Sequence, residues 1–361
     1  MRLFQNSGIY STYLPRLNQL AARKFTFRER LDAFLNDRFG ASHFLDPVLR
    51  GEKSAFFTNA DDLALQNMWA AENGMKLGSS PESVLLAQIE DHRADVFYNL
   101  DPMRFQSRFV RRLPGCVKRS IAWRAAPSPR ADFAAYDRVV CNFPTILKSY
   151  ADKGWKAAFF APAHDPALDE YASNEVRPID ILFIGGFSRH HTRRAHLLEQ
   201  VASMSAHYSV VMHLDESRLT RFAESPIGRV LPLAKHRRPL AVRRVSKPAL
   251  FGRAMYSALS QAKVVLNGAV DMAGSDRGNM RCFEAFGSAC ALVTDAGNYP
   301  QGMAGDETML VYNDASDAVK KLSALLNDAE LRTRISCAGN SMIRHRYSKQ
   351  EQIERFHELL S

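Results

Sequence analysis

"RPIDILFIGGFSRHHTRRAHLLEQV", residues 177 to 201, decides the fold. The apolar run Ile179, Ile181, Leu182, Phe183 and Ile184 reads as a buried parallel strand, and it stops at Gly185 and Gly186. Apolar positions return at Leu197, Leu198 and Val201 with helical spacing. Strand, diglycine turn and helix make one α/β unit. The turn is neither G-x-G-x-x-G nor G-x-x-x-x-G-K-[ST], so neither a dinucleotide fingerprint nor a P-loop is supported. It still admits close approach of a phosphate, and Ser188, Arg189, His190, His191 and Arg194 add donors and positive charge near the helix start. A tight turn and a solvated surface are the structural alternatives for these residues.

The same alternation runs outward in both directions. Downstream, "HYSVVMHL", "AKVVLNGA", "ACALVTDA" and "ETMLVYN" read as strands with helices between them, and the stretch from Ala329 is helical almost to the end. Upstream, "RLFQ", "SAFFT", "ADVFYNL", "VKRSIAW", "DRVVCN" and "KAAFFAP" read as strands, separated by helices such as "DDLALQNMWAAENG" and "PESVLLAQIEDH". Prolines and polar residues interrupt every period between about 163 and 178. The expectation is an α/β protein of two Rossmann-like domains. Residues 1–165 form an acceptor domain, 176–347 a donor domain, and 348–361 a helix that crosses back onto the first. In such sheets ligands bind beyond the carboxyl ends of the strands, so a cleft between the domains is the expected site.

Composition narrows the partners. No tandem repeat is visible, and 46% hydrophobic against 24% charged residues is ordinary for a globular chain. The five cysteines, Cys116, Cys141, Cys282, Cys290 and Cys337, form no C-x-x-C pair and suggest free thiols. The amino terminus lacks the apolar centre of a signal peptide, and no run approaches the roughly 20 apolar residues of a membrane span, so a cytoplasmic location is expected. The net charge of +10 favours anionic partners. Its basic stretches, "RFQSRFVRRLPGCVKRSIAWRAAPSPR" and "KHRRPLAVRRVSK", are either solvated surface or patches for peripheral contact with the inner face of a membrane or with the acceptor.

A second anion-friendly helix start lies in "SDRGNMRCFEAFGSACALVTDAGNYP", residues 275 to 300. Gly278 and Asn279 precede the apolar positions Met280, Phe283 and Phe286, so unpaired N–H groups and the positive end of the helix dipole meet a glycine. Asn279 and Arg281 add side-chain donors. Asp276 and Glu284 stand eight positions apart, on a similar face if the helix reaches back that far, where one would bind ribose hydroxyls and the other approach the sugar. Taken alone, Asp276 reads as a helix cap and Glu284 as a solvated helix residue. Among acids without a helix of their own, Asp101 follows a predicted strand and is a candidate general base, with a turn-forming role as its alternative. His92 and His164 are fallback bases. No D-x-D, H-E-x-x-H or zinc-spaced cluster occurs, which directs charge neutralisation to Arg, His and helix ends instead of a metal.

On the diglycine passage, "FGRAMYSALSQAKVVLNGAVDMAGSDRGNMRCFEAFGSACALVTD" and "GDETMLVY", the chain resembles the GT-B superfamily of nucleotide-sugar glycosyltransferases, nearest its bacterial group-one and CgeB-like members. The resemblance implies twin Rossmann-like domains, a nucleotide-sugar donor bound by the second, a glycan, lipid-linked or polymeric acceptor bound by the first, and no obligatory metal or cofactor. In retaining members with an E-x7-E motif the later glutamate holds the donor ribose, and Glu284 matches it. The earlier one is matched by Asp276, a shorter acid. The donor site carried over is then Gly185, Gly186, Ser188, His191, Arg194, Asn279, Met280, Arg281 and Glu284, with Asp101 and Asp276 as catalytic candidates. A basic nucleic-acid-binding protein is a competing class, but no binding motif or aromatic platform supports it and no nucleic-acid partner is expected. A non-transferring relative such as a nucleotide-sugar epimerase also stays open.

Overall fold

Among the described residues twelve short strands form, most of them from apolar runs, and every pairing between them is parallel. The protein is described by a computed structural model over residues 1–76, 78–187, 192–215, 217–268 and 273–361. The chain divides into two compact units, one of Met1–Pro162 with Lys349–Ser361, the other drawn from the residues between Ala163 and Ser348.

The first unit holds β1 (Leu3–Asn6), β2 (Ala55–Thr58), β3 (Val96–Asn99), β4 (Arg119–Trp123), β5 (Arg138–Cys141) and β6 (Ala157–Phe159), in the order β2-β1-β3-β4-β5-β6. Its core is aromatic. Phe4 stacks on Phe56 at 5.0 Å, Phe34 on Phe57 at 5.7 Å, and Tyr13 on Phe39 at 4.1 Å. Helices Phe27–Asp37 and Leu63–Glu72 cover this side of the sheet. A full capping box starts the former, Thr26 accepting from the Glu29 N–H while Glu29 accepts from the Thr26 N–H. Trp69 lies in this core, and Trp155 packs on Phe133 at 5.0 Å.

The second unit holds β7 (Ile179–Gly186), β8 (Val210–Asp215), β9 (Ser246–Pro248), β10 (Ala262–Leu266), β11 (Ala291–Asp295) and β12 (Leu310–Tyr312), ordered β12-β11-β10-β7-β8-β9. Read from its own first strand, this is the Rossmann order. Eleven of the strands coincide with apolar runs in the sequence. The exception is β9, an edge strand of Ser, Lys and Pro within a basic stretch, where no apolar run exists to announce it.

The terminal helical run breaks at Tyr347 and Ser348. Helix Ala329–Arg346 belongs to the second unit, and helix Lys349–Glu358 to the first. Lys349 is buried there. Its Nζ donates to the carbonyls of Ala41, Ser42 and Phe44 at 2.8, 3.2 and 2.7 Å and to Gln352 Oε1 at 3.1 Å. Phe356 packs on Tyr98 and Phe160, and the Leu359 carbonyl accepts from Arg138 Nε at 2.7 Å.

Candidate functional site

In each sheet one pair of neighbouring strands leads in opposite directions through the topology, and ligands bind at the carboxyl ends of such a pair. In the second unit that pair is β7 and β10. Leu266 pairs with Phe183 at the end of β10, while β7 runs on against β8 as far as Gly186. Among the described residues, a Cβ on Gly186 would meet nothing within 4 Å.

Asn267 and Gly268 organise what surrounds the diglycine turn. The Gly268 carbonyl accepts from the Arg194 guanidinium, which lies 5.5 Å over the Phe183 ring. The Asn267 side chain bonds that of Asn279 at 3.3 Å, and its amide also donates to Thr294 Oγ1 at 3.1 Å. Tyr312 secures the backbone by donating to the Asn267 carbonyl at 2.9 Å. The sequence did not single out Asn267, although it directly follows the apolar run of β10. Only the strand order reveals that this residue is at the switch point.

Asn279 precedes the helix Met280–Gly287 but does not cap it with its side chain, which is engaged with Asn267. The N–H groups of Met280 and Arg281 thus have no side-chain cap, while that of Cys282 donates to the Asn279 carbonyl at 3.0 Å. Gly278, at φ 96°, makes the turn into the helix. Ahead of it, residues 275–277 are zipped to the loop after β11. Asn298 N–H donates to the Ser275 carbonyl and Arg277 N–H to the Asn298 carbonyl, both at 2.8 Å, and Arg277 pairs with Asp295 at 2.5 Å.

This geometry corrects one expectation. The helix begins at Met280, and Asp276 instead bridges to Asn298 as extended backbone, so Asp276 and Glu284 share no helix face. Asp276 does not cap the helix either, and its backbone bridge fixes it in the loop. Glu284 is buried, not solvated, at 5% exposure, and it accepts from Arg281 at 2.5 Å one turn earlier. Burial pushes its carboxyl above the usual range, and the Arg281 charge opposes that rise. Arg281 Nε, buried as well, has no acceptor among the described residues. Met280 opens the helix at the same end. Ser188 and His191 lie outside the described residues. Gly185, Gly186, Arg194 and Asn279 are thus gathered around the ends of β7 and β10, and Arg281 follows in the first helical turn with its guanidinium against Glu284 and Met255 Sδ.

In the first unit the corresponding pair is β1 and β3. Asn6 Nδ2 donates to Asn99 Oδ1 at 2.9 Å, tying the strand ends, and the same Oδ1 accepts from the Asp101 N–H at 3.0 Å. Asp101 is therefore held at this edge by its own backbone. Beside it is Asp61, which the sequence did not single out. Both its oxygens accept from the Ile9 N–H, at 3.1 and 2.9 Å, and Arg104 reaches both acids, at 3.0 Å from Asp101 and 3.6 Å from Asp61. Burial raises the Asp101 carboxyl. Burial, against the Ile9 hydrogen bond and with the Asp101 charge adding to it, lifts Asp61 to about 6. Asp62, next in sequence, does structural work, capping helix Leu63–Glu72 and pairing with Arg30 at 2.6 Å.

The fallback histidines are elsewhere. His92 follows helix Pro81–Asp91 and precedes β3, at the amino end of the sheet, with Nε2 3.3 Å from the Ser54 carbonyl. His164 Nε2 is 2.9 Å from Asp169 Oδ1. Among the described residues, no group of three or more His, Cys, Asp or Glu could hold a metal ion, and no helix is long and apolar enough to cross a membrane.

Similarity to known proteins can now be set beside this geometry. Residues 192–358 match the family model described as glycosyl transferase-like. No curated protein matches the chain by sequence. Among solved structures, a glycosyltransferase from Rickettsia africae superposes with a TM-score of 0.58 at 10% identity, over 99% of this chain and 97% of that one. HepE of Anabaena in complex with UDP and glucose gives 0.58 at 11% identity, over 100% and 99%. Sucrose-phosphate synthase from Thermosynechococcus elongatus gives 0.53 at 11% identity, over 99% and 98%. The structural likenesses carry the fold, two Rossmann-like units of the GT-B kind. The family match adds a likeness to glycosyltransferases over residues 192–358.

Proposed function

We propose that the protein transfers a sugar from a nucleoside-diphosphate donor to a hydroxyl of a glycan or lipid-linked acceptor, without a metal ion. The observation that carries this reading is the helix start at Met280 without a side-chain cap, followed by Arg281, whose Nε has no acceptor among the described residues, with Arg194 at the end of β10. Fixed N–H groups and guanidinium charges suit a diphosphate in the way a divalent ion does, and they need no acidic ligands. Bound UDP and UDP-glucose in HepE make uridine donors the first to try.

In the proposed reaction the bond between the anomeric carbon and the diphosphate oxygen breaks, and one forms to the acceptor oxygen. The departing diphosphate gains negative charge, which the helix start, Arg281 and Arg194 stabilise. The acceptor proton passes to Asp101, whose carboxyl burial raises above the ordinary range, a shift in the direction that suits a general base. Glu284 is the candidate for the donor ribose, reached when the anion draws Arg281 away from it.

Thermal shift with UDP-, GDP- and dTDP-sugars, with and without chelator, tests this. A nucleotide-specific rise in melting temperature that survives chelator is expected, because a ligand that binds only the folded state stabilises it. No shift with any donor would end the donor-site assignment, and turnover abolished by chelator and restored by manganese would end the metal-free one.

A further inference from the structure

Between β8 and β9 the second unit carries a helical segment whose inward face is fully built. Ser217 caps helix Arg218–Glu224 and Ser225 caps helix Pro226–Val230, accepting from Thr220 N–H and Gly228 N–H at 3.0 and 3.1 Å. A Cβ on Gly228 would stand 1.9 Å from the Phe222 carbonyl oxygen, so glycine alone lets the two helices join this closely. Arg237 donates to the carbonyls of Ala223, Gly228 and Leu231 at 3.1, 2.8 and 2.9 Å. Arg238 grips Glu224 at 3.0 and 2.6 Å.

The outward face is apolar. Leu219, Phe222, Ile227, Val230, Leu231 and Leu240 are 45, 47, 68, 84, 40 and 60% exposed, six of the fifteen exposed large hydrophobic residues described, gathered within 22 residues. The segment is also rich in cations. Residues 217–247 hold nine Arg and Lys against the single acid Glu224, a net of +8 within a chain whose total is +10. Arg218, Arg221, Arg244 and Lys247 are exposed.

We propose that this face docks the protein on an anionic lipid bilayer. Aliphatic side chains on a fixed scaffold, in a segment rich in guanidinium and ammonium groups, match acyl chains beneath phosphate headgroups. A nucleic-acid surface fits less well, since Phe222 is the one aromatic among the six and aliphatic chains offer no stacking platform. The segment leaves β8 after Asp215, which pairs with Gly186 of β7, so it springs from the same end of the sheet as the diphosphate opening. Docking there brings that opening to the membrane surface, where a lipid-linked acceptor is found. Only this choice of acceptor rests on the proposed function.

Co-sedimentation of the full chain with phosphatidylcholine vesicles, with and without phosphatidylglycerol and at low and high salt, tests the docking. Binding that requires phosphatidylglycerol and is released by salt is expected. Each basic residue near an anionic surface strengthens binding on the order of fivefold, so Arg218→Glu with Arg244→Glu weakens it more than about tenfold. Ile227→Ser with Val230→Ser releases the protein from the same vesicles. Both variants keep the wild-type melting temperature and its shift with UDP-glucose, since the changed residues are exposed. Binding indifferent to phosphatidylglycerol, or unchanged in both variants, overturns the proposal. So does capture by duplex DNA or an acidic protein without vesicle binding. Vesicle binding without any nucleotide-sugar shift keeps the docking and sinks the donor reading, while the converse does the reverse.

Discussion

Two parallel six-stranded sheets end in two switch points of opposite chemistry. At the ends of β1 and β3, Asp61 and Asp101 share one guanidinium, Arg104, and both carboxyls are raised by burial. At the ends of β7 and β10, a helix start without a side-chain cap, Arg194 and Arg281 leave positive potential around a glycine turn. The backbone scheme is nearly the same. The difference shows that topology fixes where a ligand binds, while the handful of residues at the strand ends decides whether the place takes a proton or holds an anion.

The sharpest way to break this contrast is at Asp101. Asp101→Asn should lower kcat by about 100- to 10,000-fold, the usual weight of a general base, and leave the UDP-glucose thermal shift intact. If the shift disappears too, the division of labour between the sheets is wrong. Arg281→Ala should cost about 100-fold in kcat and weaken the UDP-glucose response. It also strands buried Glu284, a loss of about 3 kcal/mol in denaturant unfolding. Adding Glu284→Gln to it should restore most of that stability without restoring turnover, which separates the structural pair from the role toward the anion.

Titration probes the acidic end. With burial raising Asp101, kcat/KM should rise with pH through an inflection above the ordinary carboxylate range, and Asp61→Asn should change that profile by removing the second acid of the pair, the one lifted to about 6. The folded protein holds the Asp61 proton at pH values where the unfolded chain has released it. Stability therefore falls as pH rises from the ordinary carboxylate range to about 6, and Asp61→Asn should flatten that fall in urea melts. The smallest expected effect is at Gly186. Gly186→Ala should leave stability within about 0.5 kcal/mol, because its Cβ meets nothing among the described residues, and raise the UDP-glucose concentration needed for half the thermal shift if a diphosphate approaches the turn.

Sequence made the sheets legible because strands buried on both faces must be continuous apolar runs. β9 escaped because a three-residue edge strand with a proline is built from pairing alone. The glycine turn, Arg194 and the helix start could be read from local chemistry. Asp61 could not, since Asp61 and Asp62 look alike in sequence and only the fold turns one toward Ile9 and the other into a helix cap. The spacing of Asp276 and Glu284 misled for a related reason: a helical count has meaning only where the backbone is helical, and the zipped loop before Met280 is not.

The anchoring of Lys349 among the carbonyls of Ala41, Ser42 and Phe44 gives the molecule a nested order of assembly. During synthesis the amino-terminal sheet must wait, with that seam open, while every residue of the other unit is made, a delay on the order of ten seconds or more at ribosomal speed. The later-made unit can close first. Nascent chains stalled short of residue 349 should thus protect β7 and β10 from protease while the earlier strands are still being cut.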